Sequence, residues 1–281
     1  MSRLSLIGAA RDPPIKLYRA DSLRASLRSV GWHGKLQKNA ISTPSRLRLI
    51  SQPVGRSKTD EMWKSILKSF HPEGIPWPAT ILYNAISSSE IFKQHYELVA
   101  RDVLQQGQIK NILDIGTGPA RLLITLQKFL PDVKLCGVDI SEAMIATAER
   151  NLKRFFPLGK TELKVGNAEN LPFPDETFDC VISTGSLHHW KNPIDGLNEV
   201  YRVLKEGHCA LIYDLVRKLP TDVAQEVRRQ FGSFRLALLW LHSFEEPFLY
   251  TDEMLSVAEK THFNCAKIRF VGALCCIYLN K

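Results

Sequence analysis

The sequence has no apolar run long enough to cross a membrane, because stretches such as residues 236–241 are far shorter than the roughly 18 residues that a spanning helix needs. Its six cysteines include no Cys-x-x-Cys pair, and most of them lie in segments predicted to be buried strands. This favours reduced core thiols over a metal or redox site and suits a reducing compartment. The N-terminal region also lacks the apolar core of a secretory signal. We therefore expect no transmembrane segment, no metal and a cytoplasmic location.

Acidic residues are scarce in the first 59 positions, which contain 12 Lys and Arg residues but only Asp12 and Asp21. The rest of the chain contains 25 basic and 27 acidic residues, so the formal net charge of +8 arises in this one region. The near-neutral remainder gives no reason to expect nucleic-acid binding. Residues 1–59 fit a disordered basic tail, sequence translated upstream of the true start, or a mitochondrial transit peptide, and we favour the first two.

One stretch, residues 111–121, organises the remainder of the chain. Its sequence, Asn-Ile-Leu-Asp-Ile-Gly-Thr-Gly-Pro-Ala-Arg, predicts a buried strand, a glycine turn and the start of a helix. Gly116 and Gly118 permit positive φ and let a ligand approach the backbone, and Pro119 suits the first turn of the helix. A dinucleotide site has a third glycine where this chain has Arg121, which disfavours a bound pyrophosphate.

The alternative pattern is D-x-G-x-G-x-G, which the chain matches from Asp114 to Ala120 with alanine in place of the last glycine. Here the chain resembles the class I S-adenosylmethionine (SAM)-dependent methyltransferases. The resemblance implies that Asp114, Gly116, Thr117 and Gly118 bind SAM, with Asp114 orienting its methionine part.

Two later segments extend the expected SAM site. The second strand ends at Asp139, 23 residues beyond the first glycine, close to the spacing of roughly 20 residues at which a strand-end acid binds ribose hydroxyls. Ile140 follows it, and a solvated or helix-capping aspartate is the alternative. After the third strand the chain resembles the family's D-A-x-x-L-P-F loop, with Asn167 in place of the aspartate and Ala168 next. The resemblance implies that this loop contacts adenine, whereas the alternative for Asn167 is a turn residue that bonds its own backbone.

The loop after the fourth strand is expected to face the methyl acceptor. The strand ends at Ser183 and Thr184, which the resemblance places at the donor, and His188 follows. A histidine there is either a general base or a wall that orients the acceptor, and we favour the wall. We interpret the neighbouring His189 and Trp190 as packing residues.

The order of elements predicts the fold class and the domains. Strands alternate with helices from residue 110 to 214, and a closing hairpin follows, so we predict an α/β, doubly wound, mostly parallel seven-stranded sheet with a C-terminal antiparallel hairpin. This is the Rossmann-like methyltransferase fold. We divide the chain into a basic extension (1–59), an N-terminal helical arm or cap (60–108) and a SAM-binding domain (109–281) whose insertion at 215–250 selects the acceptor.

The resemblance is closest to the branch that includes quinone-biosynthesis methyltransferases. It implies transfer of a methyl group from SAM to a small-molecule acceptor, with release of S-adenosylhomocysteine (SAH). The sequence leaves open the acceptor, the atom that is methylated and the oligomeric state. A non-catalytic SAM-binding protein of the same fold is the main alternative, and an NAD-binding oxidoreductase is a weaker one.

Overall fold

The computed structural model describes residue 84 and residues 87–156, 161–233, 248–263 and 266–281. The expected basic extension and about half of the expected arm lie outside these residues. The described strands are β1 (Asn111–Ile115), β2 (Lys134–Asp139), β3 (Glu162–Val165), β4 (Phe178–Thr184), β5 (Leu204–Asp214), β6 (Ala266–Val271) and β7 (Leu274–Asn280). The described helices are α1 (Glu90–Leu104), α2 (Arg121–Phe129), α3 (Glu142–Phe155), α4 (Pro193–Val203), α5 (Thr221–Phe231) and α6 (Thr251–Glu259), with a 3₁₀ helix at Leu187–His189.

The strands form one sheet in the order β3-β2-β1-β4-β5-β7-β6. Neighbours from β3 to β5 are parallel, whereas β7 runs antiparallel to both β5 and β6. The predicted fold class, including the antiparallel hairpin at the C-terminal end, is confirmed.

Alternate side chains of each strand enter two hydrophobic cores, one on each face of the sheet. Ile112 packs with α1, α2 and α3, whereas the next residue, Leu113, packs with α4 and α6. The same alternation sends Cys275 to the α4 face and Cys276 to the α1 face, and both thiols are fully buried. The parallel strands are therefore covered on both sides, as their continuous apolar sequences predict.

Several element boundaries differ from the prediction. Helix α2 begins at Arg121 because Ala120 has a φ of 60°, so Pro119 lies in the turn and not in the helix. The sequence predicts the fifth strand over Cys209–Asp214, whereas β5 begins at Leu204, five residues earlier, because Leu204 pairs with Phe178 of β4. The sequence predicts the β6–β7 turn at Val271 and Gly272, whereas the structure has it at residues 272–273.

Within the part of the chain that the structure describes, no helix combines the length and the apolar character needed to cross a membrane.

Candidate functional site

The candidate site lies at the carboxyl ends of the central strands. Strand order reverses between β1, which leads outward to β2 and β3, and β4, which leads outward to β5. Ligands of open α/β sheets bind in the crevice at such a switch point. The ends of β1, β2 and β4 bring together the glycine turn, Asp139 and Ser183, which are far apart in sequence.

The glycine turn is held to the end of β2 by its backbone. The N–H groups of Gly116 and Thr117 both donate to the carbonyl of Val138, at 2.8 and 3.0 Å. Gly116 has a φ of 70°, and a Cβ there would overlap the side chain of Ser186 in the loop after β4. A side chain at this position would therefore push the two loops apart, which explains the glycine.

Ala120 occupies the third glycine position of the D-x-G-x-G-x-G pattern in a left-handed conformation, with a φ of 60°. This conformation costs an alanine about 1 kcal/mol relative to glycine. The side chain is fully buried and belongs to the core formed with α1 and α3, so its packing offsets part of that cost.

Asp114 is a buried carboxyl group with one described side-chain partner. It is 2% exposed, and the hydroxyl of Thr117 donates to its Oδ2 at 2.8 Å. The pKa of Asp114 is raised to about 7, chiefly by burial; the Thr117 hydrogen bond opposes this rise, and the nearby Asp139 carboxylate adds to it by a smaller amount. A cationic group bound beside Asp114 would favour its ionised form.

Asp139 makes more contacts than the sequence suggested. Its Oδ2 accepts from the N–H of Gly118 at 2.8 Å, and its Oδ1 accepts from the N–H of Ser141 at 2.9 Å. The sequence predicts that Ser141 caps α3 and leaves Asp139 free for a ligand. Ser141 does cap α3, but Asp139 also has these two backbone partners. Each carboxylate oxygen has a second lone pair, so ribose hydroxyls can still bind there. Ile140, the next residue, is 37% exposed and offers an apolar surface beside this carboxylate.

The loop after β3 contains the turn that we considered as the alternative for Asn167. Its Oδ1 accepts from the N–H of Glu169 at 3.0 Å, while Ala168 is buried beside it. The amide oxygen has a second lone pair besides the one that this hydrogen bond uses. The adenine contact remains a prediction.

A charged pair on α4 holds this loop, and sequence reasoning missed it. Glu199 accepts from the N–H of Leu171 at 2.8 Å, while Arg202 donates to the carbonyls of Leu171 and Phe173 at 3.0 and 2.8 Å. Arg202 also binds Glu199 through two nitrogens, each at 2.7 Å. The only sequence signal was the spacing of three residues between opposite charges on one helix.

Two hydroxyls at the end of β4 are buried without a hydrogen-bond partner among the described residues, namely Ser183 Oγ and Thr184 Oγ1. Buried polar atoms are nearly always satisfied, so unpaired hydroxyls at the switch point indicate a place for a polar ligand. Ser183 and Thr184, which the sequence analysis places at the methyl donor, thus lie beside the glycine turn.

His188, which is expected to face the methyl acceptor, is buried beside an aspartate to which the sequence analysis gave no role. Its Nδ1 lies 3.0 and 2.9 Å from the two carboxylate oxygens of Asp214, and its backbone N–H donates to the same carboxylate at 3.0 Å. Asp214 ends β5, the neighbour of β4, and no local pattern in the sequence connects it with His188. Trp190 packs against Gly196, as expected for a packing residue.

Asn84 connects the beginning of the described chain to the glycine turn. Its Oδ1 accepts from Arg121 at 2.9 Å and from Asn151 at 3.1 Å, and Asn151 also donates to the carbonyl of Pro119 at 2.9 Å. Arg121, which argued against a pyrophosphate site, is thus directed toward α3 and the residues before α1.

Comparisons with known proteins agree with this geometry. The family described as "Methyltransferase domain" matches residues 112–207, which contain the glycine turn, Asp139, Asn167 and His188. The uncharacterized methyltransferase YdaC of Bacillus subtilis is 34% identical over 136 residues, which cover 48% of this chain and 72% of YdaC. The chain belongs to the class I SAM-dependent methyltransferases. An NAD-binding oxidoreductase is therefore no longer a reasonable alternative.

A second relative of this methyltransferase carries a substrate in its name. The demethylmenaquinone methyltransferase of Symbiobacterium thermophilum is 39% identical over 124 residues, covering 43% of this chain. The chain spans about half of that relative's length, 48%.

Solved structures support the fold. The plantazolicin methyltransferase BpumL in complex with SAH has a TM-score of 0.57 and 18% identity, covering 80% of this chain and 97% of BpumL. A SAM-dependent methyltransferase from Aquifex aeolicus has a TM-score of 0.50 and 20% identity, covering 66% and 91%. SAM is the methyl donor of this methyltransferase, as the resemblance implied.

Proposed function

We propose that this methyltransferase transfers the methyl group of SAM to a small-molecule acceptor of the kind used in quinone biosynthesis. The convergence of the buried Asp114 carboxyl group, the half-buried Asp139 carboxyl group and the glycine turn at the β1/β4 switch point supports this proposal most directly. The 39% identity to a demethylmenaquinone methyltransferase supports the acceptor class.

In this proposal each part of SAM has its own contacts. Asp114 holds the amino group of the methionine part, which suits a carboxyl group whose buried negative charge has no cationic partner among the described contacts. Gly116, Thr117 and Gly118 let the donor approach the backbone, and the hydroxyls of Ser183 and Thr184 bind its polar atoms.

The nucleoside part lies toward β2 and β3. Asp139 accepts hydrogen bonds from the ribose hydroxyls, while Ile140 contacts the adenine face with its exposed surface. Asn167 and the backbone of Ala168 bind the adenine edge with uncharged hydrogen bonds. When bound, SAM supplies a methyl carbon on a sulfonium leaving group, so the main task of these residues is to hold the donor in line with the acceptor.

The remaining expectations complete the proposal. Residues 215–250 form an acceptor-selecting insertion, of which α5 is the described helix, with Arg228 and Arg229 exposed to solvent. We further propose that the enzyme is cytoplasmic. We also propose that it has no nucleic-acid substrate, because residues 60–281 contain nearly equal numbers of acidic and basic residues. The division at residues 59 and 108 belongs to the same proposal.

Isothermal titration of the full chain with SAM, SAH and NAD tests the donor site. We expect binding of SAM and SAH and none of NAD. Asp139→Ala should lose SAH binding because the ribose hydroxyls lose their charged acceptor, whereas Asp132→Ala, a change of an exposed acid outside the site, should bind as the parent does. Unchanged SAH affinity in Asp139→Ala would remove the ribose assignment.

A further inference from the structure

A network of hydrogen bonds joins the residues before α1 to the glycine turn. Its centre is Asn84, whose Oδ1 accepts from Arg121 at 2.9 Å and from Asn151 at 3.1 Å. The same nitrogen of Asn151 also donates to the carbonyl of Pro119 at 2.9 Å. Arg121 begins α2 and Asn151 belongs to α3, so three segments that are distant in sequence meet beside the turn.

The chemistry of the partners determines which way both asparagine side chains point. A guanidinium group can only donate, so the Asn84 atom beside Arg121 is its oxygen. A backbone carbonyl can only accept, so the Asn151 atom beside Pro119 is its nitrogen. The network therefore has one direction, in which Asn84 supplies an acceptor and Asn151 supplies a donor.

The network ends on the peptide group that determines the shape of the glycine turn. The carbonyl of Pro119 leads into Ala120, whose φ of 60° lies in the left-handed region. This conformation is unfavourable for alanine and persists only where the surrounding structure fixes it. Within the turn, the N–H of Ala120 donates to the carbonyl of Thr117 at 2.9 Å. Asn151 adds a second restraint on the same peptide from outside the turn.

Asn84 is itself held in place by its neighbours in the sequence. Its backbone carbonyl accepts from the hydroxyls of Ser87 and Ser88 at 3.1 and 2.6 Å, and Ser87 is fully buried. A restrained residue loses less conformational entropy when its side chain binds two donors. The segment before α1 thus presents a fixed oxygen to Arg121 and Asn151.

We propose that Asn84 is a positioning residue for the methyl donor, because it orients Asn151 and Arg121 and thereby fixes the glycine turn. The inference rests on the proposed function, in which this turn receives the methionine part of SAM. A turn that already has its binding conformation spares the donor the cost of ordering it. The nucleoside part is assigned to the ends of β2 and β3, so its binding should depend on Asn84 much less.

The test compares SAH with 5′-methylthioadenosine, which carries the nucleoside and the sulfur but lacks the amino-acid part. Titration calorimetry of the full chain measures both affinities for the parent, Asn84→Ala, Asn84→Asp and Asn151→Asp, and thermal unfolding is recorded for each protein. Asn280→Ala is the matched control. Asn280 is exposed at the end of β7, which is antiparallel to β5, so it lies at the edge of the sheet opposite the crevice.

We expect Asn84→Ala to weaken SAH binding about fivefold to tenfold, because it removes the acceptor of two hydrogen bonds, and to leave the affinity for 5′-methylthioadenosine nearly unchanged. Asn84→Asp keeps that acceptor and should bind SAH as the parent does. Burial lowers the pKa of Arg121, and a carboxylate beside it would stabilise its charge. Asn151→Asp replaces a donor with an acceptor and should lose SAH affinity as Asn84→Ala does. Asn280→Ala should match the parent with both ligands.

Three results would overturn the proposal. The first is an unchanged SAH affinity in Asn84→Ala. The second is an equal loss of affinity for SAH and 5′-methylthioadenosine, which would indicate a general loosening of the fold. The third is a loss in Asn84→Asp as large as that in Asn84→Ala, because it would contradict the direction of the network.

A measurement without ligand separates this proposal from the proposed function. Hydrogen–deuterium exchange in peptides that contain residues 116–124 should be faster in Asn84→Ala than in the parent and in Asn280→Ala. The same exchange in all three proteins would show that the network does not fix the turn. Faster exchange in Asn84→Ala together with a parent that fails to bind SAH would support the network's hold on the turn, but it would refute the donor site and with it the role of Asn84 in donor binding.

Discussion

Asp114 illustrates how one buried residue couples ligand binding to stability. Its pKa is raised from 3.8 to about 7, chiefly by burial, so the folded protein holds a proton that the unfolded chain releases above about pH 4. The stability that this proton contributes is complete below the unfolded pKa and is lost as the pH rises through 7. At pH 8 the group carries an uncompensated buried charge, which a cationic ligand would neutralise.

We predict that SAH binds more tightly at pH 8 than at pH 6, because its amino group requires the ionised form of Asp114. Asp114→Asn should bind SAH weakly at both pH values, yet unfold at a higher denaturant concentration at pH 8, with a gain of about 2 to 4 kcal/mol. Titration calorimetry and urea unfolding at the two pH values provide the measurements. Asp132→Asn, an exposed acid before β2, should change neither. A pH-independent SAH affinity in the parent would contradict the role of Asp114.

At the residue scale, site residues could be predicted from the sequence where their type and their spacing from a glycine turn or a helix start form a recognisable motif. Asp114 is the penultimate residue of β1 and Asp139 ends β2, so both lie at the carboxyl edge of the sheet. Their contacts with SAM remain predictions. The partner of His188 could not be found this way, because Asp214 is 26 positions away and reaches it only through the pairing of β4 with β5. Neither could the left-handed φ of Ala120, since alanine gives no local signal for it.

At the scale of elements, side chains of α4 bind the backbone of the loop that follows β3. Arg202 and Glu199 together bind the backbone of residues 171–173, immediately after the turn that holds Asn167. The Arg202 hydrogen bonds lower the pKa of Glu199, so the pair remains charged at neutral pH. A guanidinium can bind two carbonyls and a carboxylate at once, whereas a lysine ammonium cannot match that geometry.

We predict that Arg202→Ala weakens SAH binding about fivefold to tenfold and lowers stability, because each hydrogen bond lost from the loop contributes about 1 kcal/mol. Arg202→Lys keeps the positive charge that Arg202→Ala removes, and we expect it to retain only part of the parent's affinity for SAH. Arg229→Ala is the control, since Arg229 on α5 is largely exposed and pairs only with Glu226 among the described contacts. Calorimetry with SAH and with adenosine measures the effect. An equal stability loss with unchanged SAH affinity would show that α4 supports the fold but not the site.

The fold was predictable from the sequence because the spacing of apolar residues and the positions of glycines determine strands, helices and turns within short segments of the chain. The sequence predicts strands at residues 162–165 and 178–183, which agree with β3 and β4 to within one residue, and two apolar runs around Gly272 predict the closing hairpin. The extra length of β5 was not predictable, since residues 204–208 contain Lys, Glu, Gly and His and extend only by pairing with β4. Tertiary pairing overrides weak strand propensity there.

At the scale of the whole molecule, His95 joins three elements that are distant in sequence. From α1 its Nδ1–H donates to the carbonyl of Ile91 at 2.8 Å, and its Nε2 accepts from the N–H of Ala273 in the β6–β7 turn at 3.2 Å. Its ring stacks on Phe231 at the end of α5, with centroids 4.6 Å apart. Both ring nitrogens are thus used in the neutral form, and Val227, Phe231 and Ala273 form a small core around this junction.

Protonation of His95 should therefore loosen the junction and destabilise the protein in acid. Burial lowers the pKa of His95 below 6.5, so the unfolded chain takes up a proton first, and stability falls as the pH drops below about 6.5. Each unit of lowering contributes about 1.4 kcal/mol of this loss. We predict that urea unfolding of the parent shows a larger decrease in stability between pH 7.5 and pH 5 than that of His95→Gln, which cannot be protonated. Equal losses in the parent and His95→Gln would show that other groups cause the acid sensitivity.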